Sequence, residues 1–184
     1  MKIILITGGQ RSGKSAYAER LALSLSPNPV YMATAHVWDD DFRERIRIHQ
    51  ARRGDCWTNI EEERYLSNHD VTGRVVHIDC CTLWATNFFF PPEEAPVPAE
   101  SATVPGAFPP GSIPPLSLLT AEFDRFTSQD ATFIFVTNEI GLGGTSANAV
   151  QRRFTDLLGS LNQYIASKAN EVTLLISGIP VKIK

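Results

Sequence analysis

Eight consecutive residues near the start of the chain have the types and spacing that hold a phosphate group. They match the pattern G-x4-G-K-[ST] and are Gly8, Gly9, Gln10, Arg11, Ser12, Gly13, Lys14 and Ser15. Glycine allows the backbone to turn with positive φ, so successive N–H groups can point at phosphate oxygens. In such a loop the lysine contacts the outer phosphates of a nucleotide and the hydroxyl binds Mg²⁺. We therefore expect a catalytic role for Lys14 and metal binding by Ser15.

The sequence on either side of this loop supports the same interpretation. Residues 3–7 form an apolar run typical of a strand buried on both faces, and residues 13–25 have a helical pattern. A strand, a glycine loop and a helix in this order place the positive end of the helix dipole against a bound anion. The alternative is an ordinary glycine-rich turn, which the match at every specified position disfavours.

Asp79 is the candidate for a second metal ligand. It closes the apolar run of residues 75–79, and proteins with a phosphate loop place a magnesium-binding carboxylate at the end of such a strand. We expect Ser15 and Asp79 to hold Mg²⁺ against the phosphates of GTP or ATP. The alternative is that Asp79 caps a helix or a turn.

His49 is the candidate nucleophile. If residues 41–53 form one helix, then Arg45, Arg52 and Arg53 surround its ring at spacings of three and four. Neighbouring cations disfavour the protonated imidazole, and a neutral ring beside phosphate-binding arginines can attack a phosphorus atom. On the residues alone, the more common role for such a histidine is half-buried packing.

Length and composition limit the class of protein. The 184 residues fit one domain, 1–184, and a net charge of −3 does not favour a nucleic-acid groove. Without a targeting leader or an apolar stretch long enough to span a bilayer, we expect a cytoplasmic protein.

The cysteines are expected to be reduced, because Cys80 and Cys81 are adjacent and their short tether disfavours a disulfide between them. For His77 and Cys80 the two interpretations are packing in the core and a metal site. Packing is favoured, because no second pair of ligands has the spacing of a zinc site.

Strands and helices alternate along the chain. We predict strands at residues 30–34, 57–60, 75–79, 131–137 and 172–177 besides the first, and helices at 41–53, 61–69, 82–90, 116–127 and 150–168 besides the first. Residues 178–180 are expected to turn into a short tail. This alternation predicts an α/β fold with a mainly parallel sheet.

Residues 91–115 differ in composition from the rest of the chain, because they contain nine of its twelve prolines. Proline removes backbone donors and restricts the residue before it, so neither a helix nor an interior strand is expected. We interpret the segment as an extended surface insertion. A tolerated insertion is favoured over a functional lid or a partner-binding motif.

Segments spread over nearly the whole chain, apart from this insertion, are shared with one family. Beside the glycine loop they are Tyr31-Met32-Ala33-Thr34, Asp40-Asp41-Phe42 with Arg45, Ile46 and His49, Trp57-Thr58 with Glu61, Asp79 with Thr86-Asn87, residues 136–141 (VTNEIG) and residues 177–182 (SGIPVK). The sequence resembles the bifunctional adenosylcobinamide kinase/adenosylcobinamide-phosphate guanylyltransferase of cobalamin biosynthesis. The histidine segment and the TNEIG stretch are the most family-specific parts of this resemblance, since glycine loops occur in many families.

The resemblance implies two reactions. A kinase reaction transfers the γ-phosphoryl group of a nucleoside triphosphate to the aminopropanol hydroxyl of adenosylcobinamide. In the other reaction, His49 attacks the α-phosphorus of GTP, becomes guanylylated and passes GMP to adenosylcobinamide phosphate, which gives adenosylcobinamide-GDP. The resemblance also implies a P-loop NTPase fold with a RecA-like, mainly parallel sheet and helices on both faces. A homotrimer whose subunit boundary completes the site is implied as well.

Further nucleotide-binding residues are implied by position in the family pattern. They are Thr34, Ala35, His36, Gln50, Ala51, Arg52, Arg53 and Glu61, with Asp79 as the metal or nucleotide carboxylate. Some relatives carry paired histidines at the nucleophile, whereas Ile48 precedes His49 here and leaves a single candidate.

Two departures from the family pattern concern loops. Residues 141–146 lack an expected proline, and the insertion from Pro91 falls where relatives carry a helical connection. Asn138 and Glu139 are interpreted either as contacts to nucleotide or substrate or as a structural turn. Two other functions stay open on the sequence: a single-function P-loop kinase for another small hydroxyl substrate, with His49 structural, and a non-catalytic GTP-binding regulatory module.

Overall fold

The computed structural model describes residues 1–36, 54–90 and 114–184. The predicted helix of residues 41–53 lies outside these ranges, and so do the site predictions that fall on it: His49, Gln50, Ala51, Arg52 and Arg53. Residues 91–113 of the proline-rich segment also lie outside them.

Within the described ranges the chain forms seven strands and four helices. The strands are β1 (Lys2–Gly8), β2 (Val30–Ala33), β3 (Thr58–Glu61), β4 (Val75–Asp79), β5 (Thr132–Val136), β6 (Glu171–Ile176) and β7 (Ile179–Lys182). The helices are α1 (Lys14–Leu25), α2 (Cys81–Phe89), α3 (Pro115–Thr127) and α4 (Ala149–Lys168), and short 3₁₀ turns occur at Leu66–Asn68 and Ile140–Gly143. None of the helices in these ranges has the length and apolar character that crossing a membrane requires.

The strands form one sheet in the order β3-β2-β4-β5-β1-β6-β7. All neighbouring strands are parallel except β6 and β7, which are antiparallel. Strand β5 therefore lies between β1, which leads into the glycine loop, and β4, which ends at Asp79. All three strands end at the same edge of the sheet, where ligands bind in open α/β folds.

The core lies on both faces of the sheet because side chains of the central strands alternate between them. Ile3 and Leu5 of β1 join one cluster with buried residues of α2, α3 and α4. Ile4 and Ile6 join a second cluster with residues of α1. The packing of β1 into both clusters explains its uninterrupted apolar run. The expected fold class, an α/β domain with a mainly parallel sheet and helices on both faces, is confirmed.

Two sequence predictions were wrong. Residues 61–69 were expected to form a helix, but only a 3₁₀ turn occurs there. The Glu62 carboxylate accepts the backbone N–H groups of Arg64 and Tyr65, both at 3.0 Å, and so takes up amides that would otherwise bond along a helix.

The expected tail after residue 180 is strand β7. Ser177 and Gly178 both have positive φ, 51° and 81°, as in a two-residue type I′ hairpin turn, and the turn folds the end of the chain back against β6.

Candidate active site

The glycine loop joins β1 to α1, and glycine is needed at both of its ends. A Cβ at Gly8 would lie 2.6 Å from the Leu175 carbonyl oxygen and 2.7 Å from Ser12 Oγ. Gly13 has φ +89°, a conformation that other residues adopt only with strain. Within the loop the Ser12 N–H donates to the Gly9 carbonyl at 3.2 Å, which tightens the turn.

The start of α1 leaves hydrogen-bond donors unused. The first N–H groups of a helix have no intrahelical acceptor, and no described side chain caps α1 or places an acidic group in its first turn. Ser12 Oγ is buried and has no hydrogen-bond partner among the described residues. These donors and the positive end of the helix dipole face the same loop, so an anion fits there.

Lys14 is buried and folds back over the loop, where its Nζ donates to the Gly9 carbonyl at 3.1 Å. Burial lowers the pKa of Lys14 below its ordinary value, and the neighbouring Cys80 and Asp79 oppose this shift. Among the described residues the only hydrogen-bond acceptor of this buried ammonium group is a neutral carbonyl, so the group is well placed to transfer to a more strongly charged partner such as a phosphate.

Asp79 meets Ser15 across the sheet edge, because α1 packs over β4 and β5. Ser15 Oγ lies 3.4 Å from Oδ1 of Asp79, and the Tyr31 hydroxyl donates to Oδ2 at 2.8 Å. Mg²⁺ prefers oxygen ligands and in nucleotide sites takes one or two from the protein, with the remainder from phosphates and water. The Ser15 hydroxyl and the Asp79 carboxylate are a donor set of that kind.

The buried residues near the end of β4 pack against one another. His77 lies with its ring centre 4.9 Å from Tyr31 and 6.1 Å from Trp57. Burial, then the charge of Asp79, raises the pKa of Cys80 to about 11, and all three cysteines are free thiols. In the described ranges no cluster of three or more His, Cys, Asp or Glu side chains could hold a metal ion. The geometry therefore favours packing for His77 and Cys80.

The predicted nucleotide residues that follow β2 and β3 lie farther along the same edge. With strands about 4.8 Å apart, Thr34 is about 14 Å and Glu61 about 19 Å across the sheet from β1. Thr34 is fully buried and donates its hydroxyl to the Cys80 carbonyl at 2.9 Å. Ala35 is half-buried, and His36 is exposed beside Glu63, with Nδ1 and Oε1 2.8 Å apart. The described residues thus bring Lys14, Ser15 and Asp79 together. Thr34 adjoins them through its N–H, which donates to the Asp79 carbonyl at 3.3 Å, and Ala35, His36 and Glu61 lie farther along the edge.

Glu139 also lies beside the glycine loop, although the sequence left its role undecided. Its backbone N–H donates to the Gly8 carbonyl at 3.2 Å. Its carboxylate accepts hydrogen bonds from Thr7 and Asn162. Like Asp79, it lies near the end of a buried strand, and this position and the TNEIG stretch were the signals for it in the sequence.

Comparison with known proteins identifies the family. A family model described as "Cobinamide kinase / cobinamide phosphate guanyltransferase" (CobU) matches residues 4–183. The chain belongs to this family. Membership confirms the resemblance seen in the sequence, and the family description names a kinase and a guanyltransferase reaction.

Individual relatives agree with the family assignment. The chain is 34% identical over 192 residues to the "Bifunctional adenosylcobalamin biosynthesis protein CobU" of Escherichia coli (strain K12), with 99% of each chain covered. It is 33% identical to the corresponding protein CobP of Pseudomonas aeruginosa, which covers 98% of this chain and 96% of the relative. Among solved structures, the flagellar accessory protein FlaH of Methanocaldococcus jannaschii has a TM-score of 0.47 at 15% identity over 100% of this chain and 78% of that chain.

Proposed function

We propose that this protein phosphorylates adenosylcobinamide and then transfers GMP from GTP to adenosylcobinamide phosphate, which gives adenosylcobinamide-GDP. Family membership over residues 4–183 supports the substrates. The single structural observation that supports the chemistry is the meeting of Lys14, Ser15 and Asp79 at the glycine loop, where the Ser15 and Asp79 oxygens are 3.4 Å apart.

In the kinase reaction, the loop amides and Lys14 bind the phosphates of GTP or ATP. Lys14 exchanges the Gly9 carbonyl for a phosphate oxygen and neutralises charge that develops during transfer. Ser15 and Asp79 hold Mg²⁺, which supplies positive charge to the phosphate oxygens. Tyr31 fixes the direction of the Asp79 carboxylate through the hydrogen bond to Oδ2.

In the transferase reaction, His49 attacks the α-phosphorus of GTP and pyrophosphate leaves. The guanylylated histidine then passes GMP to the phosphate of the acceptor, so that one displacement is divided into two and the activated GMP is retained between substrates. Gln50, Ala51, Arg52 and Arg53 are proposed to bind this nucleotide together with the group formed by Thr34, Ala35, His36 and Glu61. A cytoplasmic homotrimer that binds no nucleic acid completes the proposal, and the resemblance supports the trimer.

The test is incubation with GTP labelled at the α-phosphorus. We expect an acid-labile adduct on the wild-type protein that disappears in His49→Asn and is discharged by adenosylcobinamide phosphate. His69→Asn is the matched control, because His69 lies in a turn beside Glu62, with Nε2 and Oε2 3.3 Å apart, and should keep the adduct.

The same experiment separates the other functions. A single-function kinase would form a phosphate ester without any protein adduct, and a regulatory GTP-binding module would bind GTP without turnover. Turnover to adenosylcobinamide-GDP by the His49→Asn variant would contradict the covalent route.

A further inference from the structure

Glu139 is fixed next to the phosphate loop by the topology of the sheet. Strand β5 lies between β1 and β4, so the residues that follow it reach the edge between the glycine loop and Asp79. The Glu139 N–H donates to the Gly8 carbonyl at 3.2 Å. The backbone of Glu139 therefore sits on the first residue of the loop that would bind the phosphates.

One oxygen of the Glu139 carboxylate is held by a buried network. Oε1 accepts the Thr7 hydroxyl at 2.9 Å and the Asn162 side-chain amide at 3.1 Å. Asn162 is itself only 5% exposed, and its Oδ1 accepts the Thr137 hydroxyl at 2.7 Å. Because Asn162 is fixed by this further hydrogen bond and Thr7 is buried at 5% exposure, the direction of the carboxylate is set before any substrate binds.

The other oxygen of the Glu139 carboxylate, Oε2, is not held by hydrogen bonds in this way. No described residue donates a hydrogen bond to Oε2, and the side chain is half-buried rather than enclosed. Asp79, the other carboxylate at the loop, has both oxygens engaged, by Ser15 and Tyr31. Of the two carboxylates, Glu139 is the one that can accept a proton from a bound hydroxyl.

We propose that Glu139 is the catalytic residue that accepts the proton of the acceptor hydroxyl during phosphoryl transfer, an inference that rests on the proposed kinase function. The hydroxyl oxygen forms a bond to the γ-phosphorus, and the bond between that phosphorus and the β,γ-bridging oxygen breaks. The hydroxyl proton passes to Oε2, and the nucleoside diphosphate leaves with the bridging oxygen. Thr7 and Asn162 are positioning residues for this carboxylate.

The decisive variant is Glu139→Gln. The glutamine carbonyl still accepts the hydrogen bonds of Thr7 and Asn162, so the network and the fold are preserved, but an amide nitrogen replaces the proton-accepting oxygen. We expect kcat for phosphate-ester formation from adenosylcobinamide to fall about 100-fold or more.

Two controls separate this role from a structural one. Glu139→Gln should leave the rate of guanylylation by α-labelled GTP and the melting temperature at wild-type values. Glu171→Gln makes the same change at the start of β6, at the opposite edge of the sheet, where Glu171 pairs with Lys2 at 2.6 Å. This control should keep wild-type kcat for ester formation.

Three results would overturn the inference. They are wild-type kcat in Glu139→Gln, an equal loss of ester formation and guanylylation in that variant, and a lowered melting temperature that accounts for the lost activity. Failure of the proposed function would look different, because the wild-type protein itself would then form no phosphate ester.

Discussion

At the scale of single residues, Asp79 and Glu139 both lie near the end of a strand, but the hydrogen bonds of their carboxylates suit them to different roles. Asp79 has one oxygen near a hydroxyl that can share a metal ion and the other fixed by Tyr31. Glu139 has one oxygen fixed and one unengaged by the described residues. A metal ligand benefits from a fixed direction, whereas a proton acceptor needs an accessible lone pair.

Asp79→Asn should weaken the effect of Mg²⁺ on nucleotide binding. An amide in place of the carboxylate removes the negative charge while it keeps the size, and the loss of a charge-assisted contact costs about 1.5–3 kcal/mol, or about 10- to 100-fold in affinity. Titration calorimetry of the nucleotide with and without Mg²⁺ measures this.

Tyr31→Phe is the matched control for this measurement, because it removes one hydrogen bond from a neutral donor and leaves the charge of Asp79 in place. It should have the smaller effect. Equal Mg²⁺ dependence in Asp79→Asn and wild type would contradict the metal assignment.

The sequence allowed only part of this site to be predicted. Lys14 and Ser15 belong to a contiguous pattern, and Asp79 follows a strand whose apolar character is plain. Glu139 acquires its role from Thr7 and Asn162, which are 132 and 23 residues away along the chain. No local pattern records such contacts, so the sequence left a turn and a functional role equally open.

At the scale of elements, the hairpin of β6 and β7 supports the glycine loop. The Gly178 N–H in its turn donates to the Ser12 carbonyl at 2.9 Å. A Cβ on Gly13 would lie 3.4 Å from the Gly178 Cα, so the two backbones are in close contact. The sequence indicated a turn here but not the pairing of β7, because β7 is short, includes Pro180 and is fully exposed.

Gly178→Ala should lower the free energy of unfolding. A steric clash is not the reason, since a Cβ at Gly178 would meet nothing within 4 Å. The reason is the backbone angle φ of +81°, which costs a non-glycine residue about 1–2 kcal/mol. Gly159→Ala is the matched control, and it should raise the free energy of unfolding instead of lowering it. It lies inside α4, a Cβ there also meets nothing within 4 Å, and alanine should add about 0.5–1 kcal/mol.

Urea unfolding at one protein concentration compares both variants with the wild type. Equal stability of Gly178→Ala and wild type would show that the turn relaxes without strain. Gly178→Asn should be closer to wild type than Gly178→Ala, since asparagine tolerates the left-handed region better.

At the scale of the whole molecule, the described residues form one core cluster on each face of the sheet. Helix α3 begins at Pro115, which suits the first turn because proline lacks the N–H that is unsatisfied there. Helices α2 and α3 then join one cluster beneath the sheet. That residues 1–184 form one domain with a tolerated insertion stays a prediction, because it concerns residues outside the described ranges.

Replacement of residues 91–113 by a glycine–serine linker of equal length tests that prediction. We expect the melting temperature to change by less than about 3 °C, because a change of 1 kcal/mol shifts it by about 2–4 °C at this chain length and the segment offers little apolar surface to a core.

Phe123→Ala provides the positive control for the replacement. Phe123 is 1% exposed in α3, with its ring centre 5.1 Å from that of Phe135, and its loss should cost about 3–5 kcal/mol. A linker variant as unstable as Phe123→Ala would show that the insertion is part of the core. A stable linker variant that loses ester formation would instead assign the segment a role as a lid or a partner-binding motif, since the fold would be intact and only the reaction impaired.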